Sequence, residues 1–371
     1  MKVAFLGIRC IPARFGGGDT EAEETAVRLV NMDVDIIAYV RKKYYEGKKL
    51  TTYKGIILIY TPTFESKNLG TPIHTFLSII HMWLRRVKPD LIHVRGIGNA
   101  LFIPMLIPFG VPIIQSLDGK DWEREKWGWF AKRILLLSAK IGFKYSDVVT
   151  VDSEVNRGHY EEKFGSRPKY LSYGTNLLDE PDLQILNKYG LKKDNYLLWV
   201  GIYKPEKNIK ILIKSFENVI TDKKLLLIGR VDEYERYFNE CKETSDSRII
   251  FQEPIYGKDI NSIYSGEFLY CQPSLVEGTS PSLLTAMGAG TCVVVSNIPE
   301  NLETVADAGV SFMDNDAEDL TKKLQALLED PESAVSHGKD CLDRVKKYYN
   351  WDRVAEQTMK LYENSIISRR R

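Results

Sequence analysis

Three consecutive glycines, Gly16–Gly18, follow the first apolar run of the chain. Glycine lets a backbone approach a ligand closely, and the N-terminus of a helix offers N–H groups to an anion. A helix is predicted to begin at Thr20, because the segment from Thr20 to Glu23 reads Thr-Glu-Ala-Glu and fits a capping box. The loop is therefore a candidate phosphate or sugar site, with a plain flexible turn as the alternative.

A second segment suited to a polar ligand runs from Glu277 to Met287. Ser280 followed by Pro281 is typical of an N-cap and the first helical residue, so a helix is predicted from Pro281. Glu277 lies just before this helix, where its carboxylate could accept hydrogen bonds from hydroxyl groups. Ordinary helix capping is the alternative interpretation.

A third loop, Tyr203–Asn208, presents Lys204 and Lys207 after another apolar run. Two cations on one short loop suit a diphosphate. The alternative is that both lysines are solvated loop charges.

These loops must be positioned by the short apolar runs that alternate with amphipathic stretches along the chain. Strands are predicted in the first half at Val3–Gly7, Val34–Val40, Ile56–Tyr60, Leu91–Val94, Ile113–Leu117 and Val148–Val151. In the second half they are predicted at Tyr196–Gly201, Leu225–Gly229, Ile249–Gln252, Phe268–Pro273 and Cys292–Ser296. Helices are predicted at Thr20–Asn31, Thr71–Arg86, Asn99–Phe109, Asp121–Tyr145, Glu154–Phe164, Ile209–Ile220, Glu233–Thr244, Pro281–Ala289 and Ala317–Leu328.

Such alternation is typical of parallel sheets that are covered by helices on both faces. Two runs of this kind, separated by the polar segment 176–195, predict an α/β fold with two doubly wound, Rossmann-like domains. Ligands of these sheets bind beyond the carboxyl ends of the strands. We therefore expect the site in a cleft across which the two domains face each other.

Composition narrows the class of function. The 371 residues include 51 Lys and Arg against 50 Asp and Glu, which argues against a dedicated nucleic-acid binder. The longest apolar stretch, Ala100–Ile114, is interrupted by three prolines and a glycine, so no spanning helix is expected. Five scattered cysteines without CxxC spacing indicate a cytoplasmic protein.

Four segments in sequence order resemble the family 4 retaining glycosyltransferases, which have the GT-B fold. Ile11–Thr20 is similar to the IP-x-x-x-GG-x-E-T loop of their rhamnosyltransferase-like branch, and Asp118–Trp127 to its H-G-x-E-W-x-R-x-K-W segment. Tyr203–Asn208 resembles the x-x-P-E-K-N loop, and Pro273–Met287 the segment P-S-x-x-E-G followed by E-A-M. Trp351–Tyr362 looks like the helix that crosses back to the first domain. The resemblance implies an acceptor domain at 1–175, a nucleotide-sugar domain at 190–348 and a C-terminal helix at 349–371.

The resemblance also implies roles for single residues. Those at the donor diphosphate would be Gly16, Gly17, Lys204 and Lys207, and those at the transferred sugar would be Glu277, Gly278, Thr279 and Ser280. Ile255 and Tyr256 would bind the nucleotide base through the main chain, Thr285 would face the ribose, and Asp118 would act with Lys207 and Glu277 in catalysis. The implied reaction is retaining transfer of a hexose or deoxyhexose from a nucleotide diphosphate sugar to a glycan or lipid-linked glycan, with no metal or other cofactor.

Three positions depart from the family pattern. Asp118 stands where the family has His, Ile202 where it usually has Arg, and Thr285 where it has the second Glu of a spaced pair. These departures support a second hypothesis, a degenerate protein that binds a sugar nucleotide or glycan without turnover. A sugar-nucleotide epimerase or a phosphorylase built on two Rossmann domains is a third alternative.

The helix predicted over 121–145 carries two stripes, one of apolar residues and one of basic residues with Trp and Leu. Trp127, Phe130, Ile134, Leu137 and Ile141 recur at helical spacing and are predicted to face the core. Lys126, Trp129, Arg133, Leu136 and Lys140 recur at the same spacing and are predicted to lie on the opposite side. This second stripe could lie against an anionic membrane or a lipid-linked acceptor, as a peripheral protein of the cytoplasmic membrane face. The alternative is a solvated face with extended lysines.

Overall fold

The computed structural model describes residues 1–370 except 15, 46–48, 64–69, 118, 120 and 124–126. The chain divides into two compact units. Unit 1 comprises Met1–Tyr173 and Trp351–Arg371, and unit 2 comprises Gly174–Asn350. Both are α/β, and each is built on its own largely parallel sheet.

Unit 1 contains a sheet that has eight strands among the described residues, in the order β3-β4-β2-β1-β5-β6-β7-β8. Its strands are β1 Lys2–Leu6, β2 Asp35–Arg41, β3 Thr52–Tyr53, β4 Ile56–Thr61, β5 Leu91–Arg95, β6 Ile113–Leu117, β7 Val148–Val151 and β8 Lys169–Tyr170. Neighbouring strands are parallel except for the β3–β4 pair. The six strands predicted in this half are confirmed to within one residue, whereas the two-residue strands β3 and β8 are too short to produce an apolar run.

The helices of the first segment of unit 1 are α1 Gly17–Asn31, α2 Gly70–Leu84, α3 Trp129–Tyr145 and α4 Glu154–Phe164. Short 3-10 turns cover Lys42–Tyr44 and Asp121–Glu123, and a longer 3-10 run covers Ile97–Phe109. An α-helix was expected over most of that last segment. Pro104 and Pro108 lie inside it, and because proline lacks an N–H group it disfavours a regular α-helix there.

The predicted capping box at Thr20 is wrong. Helix α1 begins three residues earlier, with Gly16 as its N-cap, and Thr20 lies inside the first turn. Glu23 instead reaches back to the glycine loop, where its carboxylate accepts a hydrogen bond from the Ala13 N–H. Glu23 therefore makes a tertiary contact with the loop and does not cap the helix.

The predicted orientation of α3 is also wrong. Its buried residues are Ser138, Ala139 and Gly142, while Phe130 and Leu137 of the expected core stripe are exposed. Small residues allow α3 to approach the 97–109 segment closely: a Cβ atom added at Gly142 would lie 3.2 Å from the Ala100 Cβ. At about 100° per residue, the two predicted stripes lie next to each other on the helix and not on opposite sides. The large apolar side chains led to the wrong face being predicted as buried.

Unit 2 contains a parallel sheet in the order β11-β10-β9-β12-β13-β14, counted over the described residues. Its strands are β9 Tyr196–Ile202, β10 Lys224–Arg230, β11 Ile249–Gln252, β12 Leu269–Gln272, β13 Cys292–Ser296 and β14 Val310–Phe312. Its helices are α5 Leu183–Lys188, α6 Ile209–Glu217, α7 Glu235–Cys241, α8 Lys258–Gly266, α9 Pro281–Gly288, α10 Pro299–Val305, α11 Ala317–Glu329 and α12 Pro331–Tyr348. The five predicted strands and the four predicted helices are confirmed, with helix ends up to three residues shorter.

The C-terminal helix α13, Trp351–Arg370, belongs to unit 1 and packs against α1. One apolar core of unit 1 joins β1 to these two helices, and Tyr362 of α13 is fully buried in it. A second core joins the other side of β1 to α2 and to the 97–109 segment, through residues such as Ile79 and Ile103. The side chains of β1 alternate between the two cores, as expected for a strand covered on both faces. No helix within the described ranges combines the length and the apolar character that crossing a membrane requires.

Candidate functional site

Two neighbouring strands of unit 2, β9 and β12, end beside each other and carry the loops that the sequence singled out. They run parallel, so both loops leave from the carboxyl edge of the sheet. The Leu275 N–H donates a hydrogen bond of 2.9 Å to the Glu206 carbonyl, which joins the loop after β12 to the loop after β9. The topology and this main-chain contact therefore fix the two predicted segments against each other.

An ion pair between Lys207 and Glu277 lies where these loops meet. Lys207 ends a 3-10 turn that begins at Pro205, and the next residue, Asn208, takes a left-handed conformation with φ of 51° before α6 begins. The Glu277 side chain is 8% exposed and that of Lys207 is 22% exposed. A largely buried carboxylate is thus paired with a cation that remains partly open to solvent, and both residues were predicted site residues.

Two further donors converge on the same carboxylate oxygen, Oε1 of Glu277. The Gln272 amide donates to it at 2.5 Å and the Ser274 hydroxyl at 2.6 Å. Hydrogen bonds to a charged acceptor are stronger than those between neutral groups. The Glu277 carboxylate is therefore held in one position by a lysine, an amide and a hydroxyl.

Sequence reasoning assigned no role to Ser274 and missed Gln272 altogether. Gln272 is the last residue of β12, is 2% exposed and donates a second hydrogen bond to the Ser280 hydroxyl at 3.2 Å. The Tyr270 hydroxyl in turn donates to Oε1 of the Gln272 side-chain amide at 3.1 Å. Burial raises the pKa of Tyr270 well above its usual range, with nearby acidic groups that include Glu277 adding to the effect, so the phenol stays protonated as a donor. The available signal was a polar amide at the end of an otherwise apolar strand.

Helix α9 begins as predicted. The Ser280 hydroxyl accepts a hydrogen bond from the Leu283 N–H, and Pro281 is the first helical residue. Gly278 is partly buried and Thr279 is buried, so the short loop before the helix is packed on its surroundings. Thr285, one turn into α9, donates its hydroxyl hydrogen to the Pro281 carbonyl at 2.8 Å. The Thr285 hydroxyl thus uses its hydrogen within α9 and has only acceptor capacity left for a ligand.

The other predicted donor residues of unit 2 lie on the same edge of the sheet. Ile202 is the last residue of β9, and the half-buried Lys204 precedes the 3-10 turn that carries Lys207. Ile255 and Tyr256 follow β11, which lies two strands away from β9. Tyr256 is exposed and Ile255 is half-buried. Their proposed roles at the diphosphate and the base stay predictions.

In unit 1 the glycine loop precedes α1 after the carboxyl end of β1. Gly16 has a φ of 130°, which residues with a Cβ atom rarely adopt, and Gly17 begins the helix. Asp19 in the first turn is buried and accepts a hydrogen bond from the Arg9 main-chain N–H at 3.1 Å. Its carboxylate also forms an ion pair with the Arg9 guanidinium, with 3.1 Å between Nε of Arg9 and Oδ2 of Asp19. Burial raises the pKa of Asp19, and Arg9 acts against this shift. The loop is therefore anchored beside its glycines by an ion pair between the buried Asp19 carboxylate and the partly exposed Arg9 guanidinium.

Two predicted site residues, Asp118 and Lys126, lie outside the described residues. Of the rest of the predicted membrane stripe on α3, Trp129, Arg133 and Lys140 are exposed, whereas Leu136 is partly buried against a core of unit 1. The Arg133 guanidinium lies over the Trp129 ring, 4.9 Å from its centre.

Comparison with known proteins gives a family match for part of unit 2. Residues 183–340 match the family of glycosyl transferases group 1. The chain is 26% identical over 190 residues to the O-antigen chain mannosyltransferase B of Escherichia coli, an alignment that covers 49% of each protein. It spans about half the length of this and several other curated relatives that it matches. The matched family region includes the whole Lys207–Glu277 site.

Solved structures resemble the chain over almost its full length. Sucrose-phosphate synthase from Thermosynechococcus elongatus has a TM-score of 0.83 at 20% identity and covers 99% of both chains. Anabaena HepE in complex with UDP and glucose has a TM-score of 0.81 at 15% identity, and covers 98% of this chain and all of that one. At such low identity these likenesses show the fold, which is the GT-B fold expected from the sequence. Together the comparisons support a glycosyltransferase.

Proposed function

We propose that this chain is a retaining glycosyltransferase of glycan or polysaccharide biosynthesis. It would transfer a hexose or deoxyhexose from a nucleotide diphosphate sugar to a glycan or lipid-linked glycan. The observation that carries this proposal is the Lys207–Glu277 pair at the carboxyl edge of the unit 2 sheet, held by Gln272 and Ser274. It joins a cation for a diphosphate to an acceptor for sugar hydroxyls within a single contact.

Lys207 is proposed to stabilise the leaving group. When the bond between the sugar and the diphosphate breaks, negative charge develops on the diphosphate, and a fixed cation lowers the energy of that transition state. Lys207 is partly open to solvent, while its 3-10 turn is tied through the Glu206 carbonyl to the loop after β12. Lys204, on the same loop, would add a second cation where the family usually has one at position 202.

Glu277 is proposed to accept hydrogen bonds from hydroxyls of the transferred sugar. An incoming diphosphate would compete for Lys207 and weaken its pairing with Glu277. The carboxylate would then keep its position through Gln272 and Ser274, and would exchange an ammonium partner for sugar hydroxyls. In this proposal the ion pair of the unliganded chain preserves the geometry that the donor later uses.

The overall reaction needs no external oxidant or reductant. The acceptor oxygen forms a new bond to the anomeric carbon on the face that the diphosphate leaves. The departing phosphate oxygen takes the acceptor proton, so the products are a glycoside and a nucleoside diphosphate. Stereochemistry, metal independence, the rhamnosyltransferase-like branch and the identity of the acceptor are part of the proposal.

The proposal is tested by measuring nucleoside diphosphate release from a panel of nucleotide sugars, with and without glycan extracts as acceptors. Glucose and mannose donors come first because relatives of the chain include a mannosyltransferase and a protein bound to UDP and glucose. Deoxyhexose donors complete the panel. Product configuration at the anomeric carbon, read by NMR, tests retention. Absence of nucleotide binding, hydrolysis and transfer across the panel would overturn the proposal.

A matched pair of lysine variants assigns any activity to the site. Lys207→Met should lower kcat/KM by about 100-fold or more, because it removes a charge that acts in the transition state. Lys210→Met is the control, since Lys210 is also paired with a glutamate, Glu240, but on the exposed surface of α6. Equal activity of the two variants would contradict the role of Lys207.

A degenerate sugar-nucleotide-binding protein is the second candidate. Ile202 and the partly committed hydroxyl of Thr285 favour it. It predicts that a nucleoside diphosphate binds, as measured by calorimetry, while turnover is undetectable. The variants Ile202→Arg and Thr285→Glu separate the two candidates. Turnover by the unmodified chain that these variants raise supports an enzyme, and binding without turnover in the unmodified chain and in both variants supports the degenerate protein.

A further inference from the structure

Three consecutive segments lie side by side on one face of the unit 1 sheet. Helix α3 packs on the 97–109 segment, and the Ser138 hydroxyl donates to the Ile97 carbonyl at 2.6 Å. Helix α2 packs on the other side of that segment, where the Trp83 and Phe109 rings are 5.1 Å apart. The three segments therefore form one continuous layer.

The exposed surface of this layer carries several large apolar side chains, and we call it the outer face. Its large exposed apolar residues are Phe76, Trp83, Leu84, Ile107, Trp129, Phe130, Ile134 and Leu137. Trp129 and Phe130 are 68% and 67% exposed. Scattered single apolar residues on a surface are normal, whereas a contiguous group marks a site of interaction. The misassigned stripe of α3 is thus part of a surface and not of the core.

The three segments themselves are also free of acidic residues, and the exposed Asp90 follows α2. The 45 residues of α2, the 97–109 segment and α3 contain no Asp or Glu, although the chain as a whole has almost as many acids as bases. The basic residues at this layer are Arg85, Arg86 and Lys88 directly after α2, and Lys132, Arg133, Lys140 and Lys144 on α3. At helical spacing Arg133, Lys140 and Lys144 lie on the same half of α3 as the exposed apolar residues. Apolar and basic side chains therefore alternate on one surface.

We propose that the outer face docks on the surface of a bilayer that contains anionic phospholipid. Exposed Trp and Phe side chains among Lys and Arg, without acidic residues, are typical of elements that lie in the membrane interface. The basic residues would contact the anionic headgroups, and each adds to the attraction near the surface. The Arg133 guanidinium stacks over the Trp129 ring, so a basic and an aromatic side chain of this face are in direct contact.

A second copy of this chain is a poorer occupant of the outer face. A symmetric dimer through this surface would bring the basic residues of two copies together, with no acidic residue from the three segments to offset them. An anionic bilayer complements both the apolar and the basic residues. The docking proposal is independent of the transferase proposal, because it is measured without donor or acceptor.

The test is co-sedimentation of the full chain with vesicles of phosphatidylcholine alone or mixed with phosphatidylglycerol. We expect binding to the mixed vesicles at low salt, with weaker binding to phosphatidylcholine and at high salt. Trp129→Ser combined with Phe130→Ser should weaken binding about tenfold or more, because both lose apolar area that would enter the interface. Arg133→Glu combined with Lys140→Glu should weaken it at least as much and remove most of the salt dependence.

Matched controls come from exposed residues of unit 2. Ile220→Ser with Val335→Ser removes apolar side chains that are 85% and 57% exposed, and Lys322→Glu with Lys339→Glu reverses two exposed lysines. Both double variants should bind the mixed vesicles like the unmodified chain. Thermal melting of every variant checks that the fold is kept.

Several outcomes would overturn the proposal. These are no sedimentation with mixed vesicles at low salt, equal binding by the outer-face and control variants, and a dimer in lipid-free buffer that the Trp129 and Phe130 variant dissociates. The last result would assign the outer face to a second copy of the chain. Quenching of tryptophan fluorescence by brominated lipid adds a direct readout, since Trp83→Phe and Trp129→Phe should remove most of it.

Discussion

Strand β12 has a buried glutamate near each end, and the two are held in different ways. Glu277 follows the carboxyl end and is paired with Lys207, with Gln272 and Ser274 donating to the same oxygen. Glu267 precedes the amino end and is 4% exposed. Burial raises the pKa of Glu267 well above the usual range, and the Thr291 hydroxyl lowers it in part.

The difference follows from the two edges of a parallel sheet. Loops at the carboxyl edge converge on a ligand, and there the chain supplies a cation and donors that keep a carboxylate in place. At the amino edge the Glu267 carboxyl is buried without such a cation among the groups that shift its pKa, so its neutral form is favoured. The two glutamates are therefore distinguished by the donors that converge on Glu277 and not by burial, and the proposed role in donor binding falls on Glu277.

Exchanging each carboxylate for an amide tests this comparison most strongly. Glu277→Gln should lower kcat/KM by about 100-fold, because an amide accepts sugar hydroxyls weakly and cannot pair with Lys207. Glu267→Gln is the matched control and should leave kcat/KM within about twofold, since the change conserves volume at the far end of the strand. Steady-state kinetics on the active donor gives both values. A loss of similar size in both variants would break the comparison.

Gln272 provides a second test with a smaller expected effect. Gln272→Met removes the amide while keeping its length, so Glu277 loses one donor but retains Lys207 and Ser274. We expect KM for the donor to rise about tenfold with a smaller change in kcat, because the carboxylate is less well positioned.

Tyr270→Phe separates positioning from general destabilisation. It removes the donor to Gln272 without touching Glu277, and should give a smaller rise in the donor KM. If Gln272→Met lowers thermal stability and leaves KM unchanged, Gln272 supports the fold and does not position Glu277.

The sequence predicted those features that depend on neighbours along the chain. Strands were predicted from apolar runs. The start of α9 was predicted because Ser280 caps the helix that it precedes and Pro281 is the first residue of that helix. Lys207 and Glu277 were predicted one by one from their loops, yet their pairing depends on β9 and β12 being neighbours, which spacing does not reveal. Gln272 was missed for the same reason.

The wrong predictions at Thr20 and in α3 have a common cause, which is tertiary packing. The sequence pattern made Glu23 part of a capping box, but the folded loop brings the Ala13 N–H to it. In α3, large apolar residues suggested a core face, but Ala139 and Gly142 allow the close packing and the large residues remain outside. Periodicity identifies an apolar stripe, but it does not tell whether that stripe packs in the core or lies on the surface of the protein.

The last test of the comparison concerns the pH dependence of stability at Glu267. The pKa of Glu267 in the folded chain is raised above its ordinary value of 4.5, so between these two values the folded state keeps a proton that the unfolded state has lost. Stability from this group is thus fully present below pH 4.5 and decreases as pH rises, by up to about 1.4 kcal/mol per pH unit. Glu267→Gln removes this term, so the variant should gain stability relative to the unmodified chain between pH 5 and pH 8. Urea unfolding across that range measures it, with the exposed Glu332→Gln as the control whose profile stays parallel to that of the unmodified chain. If Glu267→Gln is also parallel, Glu267 is not held neutral, and the contrast between the two ends of β12 is lost.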